Sequence, residues 1–488
     1  MHLREKVISG MLWSFAERFG AQAVSFIVSI VLARMLEPCH YGSIALVSVF
    51  INIANVFATG GFGNSLIQKK SADNVDFSTV FYFNIAWSVV LYAVIFVAAP
   101  LISRFYAMSE LTPVVRIMGI RLIVAGINSV QRAYVSRNML FKRFFFSTLG
   151  GTLFSALVGV YLAYKGFGVW ALVAQYMTNT CTDTVVLWIT VKWRPDFVFS
   201  FTRLRQLFSF GWKLLCSTLL TTIYTELTEL VIGKVYGSSD LAYYNKGKKF
   251  PQLIVTQINS ALDTVLFPAM AKHQDNREML KQDVRYSIKF ASFCVFPVVF
   301  GLAAIGNDLI RILLTDKWKE SIIYLQIACI SYAILPIGLA NIQAIKAMGR
   351  SDIYLKLDIT KKVIGIGLLI VFVKNGVIAI AIAESVSNIL GLVINVYPNR
   401  KLLNYTGKEL LKDILPALMA SSAMVICVLA VEHLAVDLVL RFVLQVLTGG
   451  IVYIVASRIF KVPAYAEAKK LFVQLLRKKT KKNKMIRK

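Results

Sequence analysis

Ionisable and amide side chains interrupt several long apolar runs of this sequence, and they do so at helical spacing. In the run 11–36, one helix face collects four polar residues at i, i+4, i+7 and i+11, namely Arg18, Gln22, Ser25 and Ser29. A second polar face lies in the run 210–236 and comprises Thr218, Thr222, Thr225 and Glu229. An ionisable group at mid-membrane costs roughly 2.5–3.5 kcal/mol on insertion scales, so it usually faces a cavity or a partner.

Two further apolar runs carry matching polar residues. They are Asn52, Asn55 and Thr59 in the run 43–67, and Gln252, Thr256, Asn259 and Asp263 in the run 249–270. Four helices therefore have polar faces, which we interpret as the lining of a shared central cavity. The alternative is that Ser, Thr and Asn only hydrogen-bond between helices and hold the bundle together.

The cations of these runs are candidates for binding an anion. Arg121 lies deep in the run 111–136, whereas Arg18 and Lys213 lie one to two turns inside the cytoplasmic edge of their runs. For Lys213 the alternative is snorkelling, in which the long side chain carries its charge to the membrane surface.

The acids of these runs are candidates for ion coupling. Glu226, Glu229 and Asp263 are the most deeply placed, whereas Glu384 and Asp183 are weaker candidates that can pair locally. An acid inside the membrane can bind a proton or Na⁺ in one conformational state and release it in another. The alternative is that the three deep acids pair with Lys or Arg of other helices and only hold the structure together.

The composition identifies the solvent of most of this chain as lipid. Of the 488 residues 57% are hydrophobic and 16% are charged, and the long apolar runs cause the deficit in charge. The net charge of +28 invites a nucleic-acid interpretation, but the cations lie in short loops and in the tail 461–488, which argues against it. We expect that tail to be a solvated end or to touch anionic lipid headgroups.

The spacing of reactive residues predicts neither a metal site nor an enzyme. The six cysteines and four histidines are scattered, and no C-x-x-C motif occurs. Motifs of serine hydrolases, zinc proteases and P-loop nucleotide binding are absent, and the loops are too short for a nucleotide-binding domain. We therefore expect no cofactor beyond a coupled H⁺ or Na⁺.

Fourteen apolar runs are long enough to cross a bilayer core of about 30 Å. They lie at 11–36, 43–67, 77–102, 111–136, 146–164, 168–191, 210–236, 249–270, 284–306, 321–346, 357–373, 376–398, 412–434 and 437–460. Lys and Arg are concentrated in alternate loops, so we predict that both termini are cytoplasmic. Two predicted outer loops depart from this trend, with Lys246, Lys248 and Lys249 in one and Arg311, Lys317 and Lys319 in the other.

A weak internal repeat divides the runs into two blocks. The stretch beginning at Ala33 and the stretch beginning at Gly233 each end the first run of a six-run block, 200 residues apart. An even number of spans makes such repeats parallel. We thus predict an all-α integral membrane protein with about fourteen transmembrane helices, in two six-helix lobes related by a parallel pseudo-twofold repeat, plus two C-terminal helices.

The predicted segments are an N-lobe at 1–191, a cytoplasmic amphipathic loop at 192–209, a C-lobe at 210–398, two extra spans at 399–460 and a basic cytoplasmic tail at 461–488. The loop could be an interfacial helix or a basic loop with aromatic anchors.

Several stretches resemble the polysaccharide-biosynthesis flippases, the Wzx-like oligosaccharide flippases of the multidrug/oligosaccharidyl-lipid/polysaccharide exporter superfamily. The stretch from Ser9 is similar to the opening helix of that family, its AR-x-L-x-P-x-x-Y-G turn and its second helix. GFGNSLIQKK from Gly61, YGSSDLAYYNKGKKFP from Tyr236, VLFPAMAK from Val265 and NIQAIKAMGRSDIYLKLDI from Asn341 extend the resemblance over nearly the whole chain. The Cys-His pair in the first turn departs from the pattern.

The resemblance implies a bundle of twelve core helices plus two that alternates between inward-open and outward-open states. The implied cargo is an undecaprenyl-diphosphate-linked oligosaccharide, moved from the cytoplasmic to the outer leaflet of the bacterial inner membrane with energy from an ion gradient or membrane potential. A diphosphate headgroup is anionic, and Lys and Arg in a water-filled cleft can replace its hydration. The candidate substrate contacts are Arg18, Gln22, Asn52, Arg121, Lys213 and Asn259, and the candidate coupling acids are Glu226, Glu229 and Asp263. The implied partners are this lipid-linked sugar, membrane lipids and other polysaccharide assembly proteins, with no nucleic acid.

Two alternatives remain open from the sequence. One is a lipid II flippase or a multidrug exporter of the same superfamily, although an exporter of cations should have an acid-dominated cavity. The other is a membrane polysaccharide polymerase or ligase, which usually needs a sizeable outer loop with reactive residues, and no such loop occurs.

Overall fold

The computed structural model describes residues 3–59 and 61–466; within the first helix, side chains are described at Trp13 and Glu17 and from Gly20 onwards, and the side chain of Phe210 is left out. The predicted contact Arg18 and most of the predicted basic tail therefore lie outside the described side chains. The described residues form helices and no strands.

The chain divides into two compact units, Met1–Ala242 and Tyr243–Lys488. The helices that begin in the first unit are α1 (Leu3–Met35), α2 (Pro38–Thr59), α3 (Phe62–Gln68), α4 (Asn74–Tyr106), α5 (Leu111–Arg137), α6 (Phe141–Tyr164), α7 (Val169–Thr190), α8 (Phe201–Val235) and α9 (Ser238–Ala271). The second unit contains most of α9 and adds α10 (Arg277–Ala304), α11 (Gly306–Leu314), a 3₁₀ turn (Asp316–Trp318), α12 (Ser321–Ala347), α13 (Ser351–Phe372), α14 (Val377–Leu402), α15 (Gly407–Glu432) and α16 (Leu438–Ile459). In this structure α8 belongs to the first unit, and the predicted lobe boundary at 192–209 stays a prediction.

Thirteen of the fourteen predicted spans each overlap one long helix, and the predicted span 43–67 falls on α2 and the short helix α3. Among the described residues, eleven segments are long and apolar enough to cross a membrane, and α1, α7 and α13 supply no such segment. An all-helical integral membrane protein is thus confirmed, and the count of fourteen crossings stays a prediction. The largest difference in bounds is at α9, which begins at Ser238 and not near 249.

The predicted loop 192–209 is part non-helical linker and part helix. Residues 191–200 are not helical, and α8 begins at Phe201, after Ser200 accepts a hydrogen bond from the Arg203 backbone N–H. Leu204 and Leu207 of this first part of α8 are buried, while Phe201 is exposed. The amphipathic pattern therefore forms the start of the seventh long helix.

Charged residues fix the beginning of α4 against the beginning of α8. Asp73 and Asp76 form a capping box, and the Asp76 carboxylate is fully buried between Lys69 Nζ at 2.6 Å and Arg203 Nη1 at 3.2 Å. The Asp76 backbone N–H donates to the Asp73 carboxylate and Arg203 lies 3.1 Å from it, and these contacts hold the pKa of Asp73 below its usual value.

A close backbone crossing joins the break between α2 and α3 to α8. Gly61 has φ +99°, and a Cβ at this position would lie 2.3 Å from the Gly211 carbonyl oxygen. The hydroxyl of Ser65, one turn further on, donates to the Leu207 carbonyl at 3.2 Å. Only glycine combines this backbone conformation with this approach without strain.

Two buried ion pairs attach the C-terminal helices within the second unit. Asp413 of α15 accepts two hydrogen bonds of 2.8 Å from Arg285 of α10, and Lys289 lies 3.2 Å away. Asp308 of α11 accepts bonds of 2.7 and 2.6 Å from Arg441 of α16. Both carboxylates are nearly inaccessible, so these contacts hold α15 and α16 against α10 and α11.

Candidate functional site

One predicted contact and one predicted coupling acid meet between α2 and α8. The Asn52 side-chain amide donates a hydrogen bond of 3.0 Å to the Glu226 carboxylate. The sequence gives these two side chains separate roles, and the structure brings them together within the first unit. The partner of Glu226 is thus a neutral amide, which does not neutralise its charge.

Arg121 anchors a second polar cluster in the first unit. Its Nε donates to the Thr180 hydroxyl at 3.1 Å, and its guanidinium lies 5.2 Å from the centre of the Tyr176 ring. Thr180 and Tyr176 are both on α7. Thr180 in turn donates to the Tyr176 carbonyl at 3.0 Å, which fixes the hydroxyl for Arg121. Glu229 of α8 lies within electrostatic range of Tyr176.

Arg121 keeps most of its hydrogen-bonding capacity. Among the described residues, Arg121 forms no salt bridge and makes one hydrogen bond, through Nε. Its two Nη groups therefore donate no hydrogen bond to any described residue. The side chain is only half-buried. A guanidinium with its planar fork unoccupied can bind two oxygens of a phosphate at once.

The remaining predicted contacts of the first unit do not join these clusters. Gln22 is half-buried on α1 and Lys213 is exposed on α8, and among the described residues neither hydrogen-bonds to another side chain. Helix α1 packs along α6, where the Thr148 hydroxyl donates to Glu17 at 3.0 Å.

In the second unit, Asp263 of α9 is paired with α12. The Gln343 side-chain amide donates a hydrogen bond to its carboxylate, and Gln343 itself is buried. Asn259, one turn earlier, has a buried side-chain oxygen that accepts no hydrogen bond from the described residues. As with Glu226, the partner of this acid is a neutral amide.

The second unit contains an ion pair that is not predicted from the sequence. Lys248 Nζ lies 2.6 Å from Glu384 Oε1 on α14. The Tyr244 hydroxyl is 3.0 Å from Lys248 Nζ and also hydrogen-bonds Glu384. The gap between the apolar runs 210–236 and 249–270 predicts an outer loop around Lys248, but α9 begins ten residues before it. The i, i+4 spacing of Tyr244 and Lys248 is the signal that could have placed them on one helix face.

The other acid with a local pairing is Asp183 of α7. It accepts a hydrogen bond of 2.9 Å from Asn128 and lies 3.6 Å from Arg132, both on α5. Among the described residues, no group of three or more His, Cys, Asp and Glu side chains is placed to hold a metal ion. The arrangement offers cations for anion binding and acids for binding protons.

Helices long and apolar enough to span a membrane, with these polar side chains along them, define the chain as a helical integral membrane protein. The chain belongs to a family described as polysaccharide biosynthesis protein, whose pattern matches residues 31–323. It is 24% identical over 397 residues to the lipopolysaccharide biosynthesis protein WzxC of Escherichia coli K12, covering 81% of this chain and 80% of WzxC. It is 24% identical to the teichuronic acid biosynthesis protein TuaB of Bacillus subtilis 168, covering 98% of this chain and 99% of TuaB.

Solved structures of transporters share the fold. The lipid II flippase MurJ matches with a TM-score of 0.75 at 15% identity, covering 92% of this chain and 98% of MurJ. A multidrug resistance transporter of the MATE family matches with a TM-score of 0.61 at 17% identity, covering 79% of this chain and 96% of that chain. These matches confirm the all-helical membrane fold that the sequence resemblance implies, and the count of twelve core helices plus two stays a prediction.

Proposed function

We propose that this protein is a flippase that moves a polyprenyl-diphosphate-linked oligosaccharide across the bacterial cytoplasmic membrane by alternating access. The transported lipid would supply envelope polysaccharide such as O-antigen, capsule or exopolysaccharide. The cargo is proposed to cross without any change in its covalent structure. Undecaprenyl diphosphate is the proposed lipid carrier, and other polysaccharide assembly proteins are the proposed partners on either side of the membrane.

The observation that carries this proposal is the state of Arg121. A cation within a span is costly unless it serves a pathway or a ligand. The described residues supply Arg121 with a hydroxyl and an aromatic ring but no carboxylate. An anionic diphosphate headgroup supplies the missing negative charge, while its polyprenyl chain stays in lipid. The family membership supports a role in polysaccharide biosynthesis.

The other predicted contacts are proposed to bind the same cargo, each within its own unit. Gln22, Asn52 and Asn259 offer amides for sugar hydroxyls and phosphate oxygens, and Lys213 offers a second cation near the proposed cytoplasmic side. The predicted contact Arg18 adds a third cation. Both termini are proposed to be cytoplasmic, on the basis of the loop charges.

Ion coupling is proposed to use Glu226, Glu229 and Asp263. The hydrogen bonds from Asn52 to Glu226 and from Gln343 to Asp263 support this, since a neutral amide leaves the carboxylate able to accept a proton without breaking an ion pair. The alternative is that these acids only hold the structure together, and it predicts that each of them pairs with a Lys or an Arg. H⁺ and Na⁺ remain the two candidate ions.

Transport in liposomes tests the proposal directly. The purified full-length protein is reconstituted with undecaprenyl-diphosphate-linked oligosaccharide labelled on the sugar, and the label exposed outside is measured with an impermeant sugar-cleaving enzyme. We expect exposure to rise with protein and the mass of the recovered lipid to be unchanged. Transport of lipid II or of a cationic drug instead would favour the alternative exporters, and a longer glycan would favour a polymerase.

A further inference from the structure

The ion pair of Lys248 and Glu384 joins two long helices and is more accessible than the two buried pairs that hold α15 and α16. The side chains of Lys248 and Glu384 are 26% and 33% exposed. By contrast, the carboxylates of Asp308 and Asp413 are 1% and 3% exposed and are held by arginines. Contact of a charged pair with lipid hydrocarbon is energetically costly. We therefore expect the exposed side of this pair to face water.

Three helices position this pair. Lys248 and Tyr244 share one face of α9, and α14 presents Glu384 from the opposite side. A Cβ at Gly247 would lie 2.4 Å from the Ser321 carbonyl oxygen, so glycine allows α9 to approach α12 this closely. The ring of Tyr324 on α12 packs edge-on against that of Tyr244, with ring centres 5.9 Å apart.

Among the described residues, the charged and titratable surroundings of the pair contain no second strong counter-ion. From α12, the hydroxyl of Tyr332 lies within electrostatic range of both Lys248 and Glu384. From α13, Lys361 contacts α14 at Gly391, two turns beyond Glu384. The charge of Lys248 is therefore balanced by one carboxylate, with tyrosine hydroxyls around it.

We propose that Glu384 is an internal counter-ion of Lys248 that a diphosphate group of the cargo displaces, and that the displaced carboxylate takes up a proton from water. This inference rests on the proposed function, because it needs an anionic cargo. A diphosphate competes for Lys248 through several charged oxygens, whereas Glu384 offers one contact of 2.6 Å. A carboxylate that loses its cation in a partly dehydrated site favours the neutral form. Anion binding at Lys248 is thus linked to proton binding at Glu384.

Proton counting by calorimetry tests this linkage. Farnesyl diphosphate is titrated into the full-length protein in detergent at pH 7, in two buffers of different ionisation enthalpy. We expect the parental protein to take up about one proton more per bound diphosphate than Glu384→Gln does. That variant should bind roughly 10- to 100-fold more tightly, because no carboxylate competes for Lys248. Equal proton counts for the two proteins would overturn the inference.

Lys248 needs its own variant. Lys248→Met leaves Glu384 without its cation and can unfold the protein, so Lys248→Met/Glu384→Gln removes both charges together. We expect the double variant to bind farnesyl diphosphate roughly 10- to 100-fold more weakly than Glu384→Gln. Equal affinity would exclude Lys248 as an anion contact.

The same titration separates this inference from the proposed function. If the parental protein binds and Arg121→Ala weakens binding, but the variants of Lys248 and Glu384 behave as the parental protein does, only the exchange at Lys248 is wrong. If the parental protein binds no diphosphate at all, the proposed anionic cargo is wrong, and the exchange is wrong with it.

Discussion

Replacing Arg121 with alanine removes a cation that forms no salt bridge among the described residues, so no carboxylate is left behind uncompensated. The substitution removes one hydrogen bond to Thr180 and the packing of the guanidinium against the Tyr176 ring. Interactions of these kinds contribute about 1 kcal/mol each. We therefore expect the variant to lose at most about 2 kcal/mol of stability and to accumulate at near-parental levels.

The functional loss should be larger than the structural one. A hydrogen bond to a charged group contributes about 1.5–3 kcal/mol, which corresponds to roughly 10- to 100-fold in binding. Transport of lipid-linked oligosaccharide at subsaturating cargo should fall by that factor in Arg121→Ala. Arg121→Lys should recover part of it, because lysine keeps the charge but lacks the planar fork.

Arg116 provides the matched control on the same helix. Its guanidinium lies 4.2 Å from the centre of the Phe96 ring, and its Nε donates to the Phe96 carbonyl at 3.5 Å. Arg116→Ala thus removes a similar cation and a similar ring contact, and we expect near-parental transport in the same liposome assay. Parental transport by Arg121→Ala at equal protein abundance would refute the cargo contact, as would equal losses in the two variants.

Three further perturbations test the fold, the coupling and the orientation. Asp308→Asn should lower stability by about 3–5 kcal/mol by leaving Arg441 unpaired, and replacing Arg441 with leucine in the same chain should restore part of the loss, as measured by thermal unfolding in detergent. The double variant Glu229→Gln/Asp263→Asn should fold but lose the dependence of transport on an imposed ion gradient; persisting dependence would exclude these acids. A membrane-impermeant, cysteine-reactive label added to intact cells should modify Cys39. If Cys39 stays unlabelled in a protein that is abundant and folded, the predicted orientation is wrong.

The positions of the long helices could be predicted because membrane spans impose a length and a composition on the sequence. The run 77–102, for example, falls within α4, and the run 437–460 coincides with α16. Helix ends outside the apolar runs could not be predicted in this way. Helix α9 begins at Ser238, and its first turns contain polar and basic residues. A hydropathy pattern detects apolar spans and does not detect such polar helical turns.

Candidate site residues could be proposed from the sequence, but their hydrogen-bond partners could not. Arg121 and Asp263 are charges within apolar runs, which is a local signal. The contacts of Arg121 with Thr180 and of Asp263 with Gln343 join residues far apart in the sequence, and only the packing of the helices determines them. Lys248 was missed because a cation near the end of a run is typical of a loop.

The contrast between Glu384 and the other acids bears on how coupling can avoid leakage. Glu226 and Asp263 are hydrogen-bonded by neutral amides, so protonating either one breaks no ion pair, with or without cargo. Protonating Glu384 in the absence of cargo would break the ion pair with Lys248. In the proposed exchange, Glu384 binds a proton only after an anion has replaced it as the partner of Lys248. Anion binding and proton binding are then linked stoichiometrically, because neither is favourable alone. The gradient dependence of transport therefore separates two coupling schemes. Its loss in Glu229→Gln/Asp263→Asn assigns the coupling to those acids, whereas a proton dependence that persists in that variant and disappears in Glu384→Gln assigns it to Glu384.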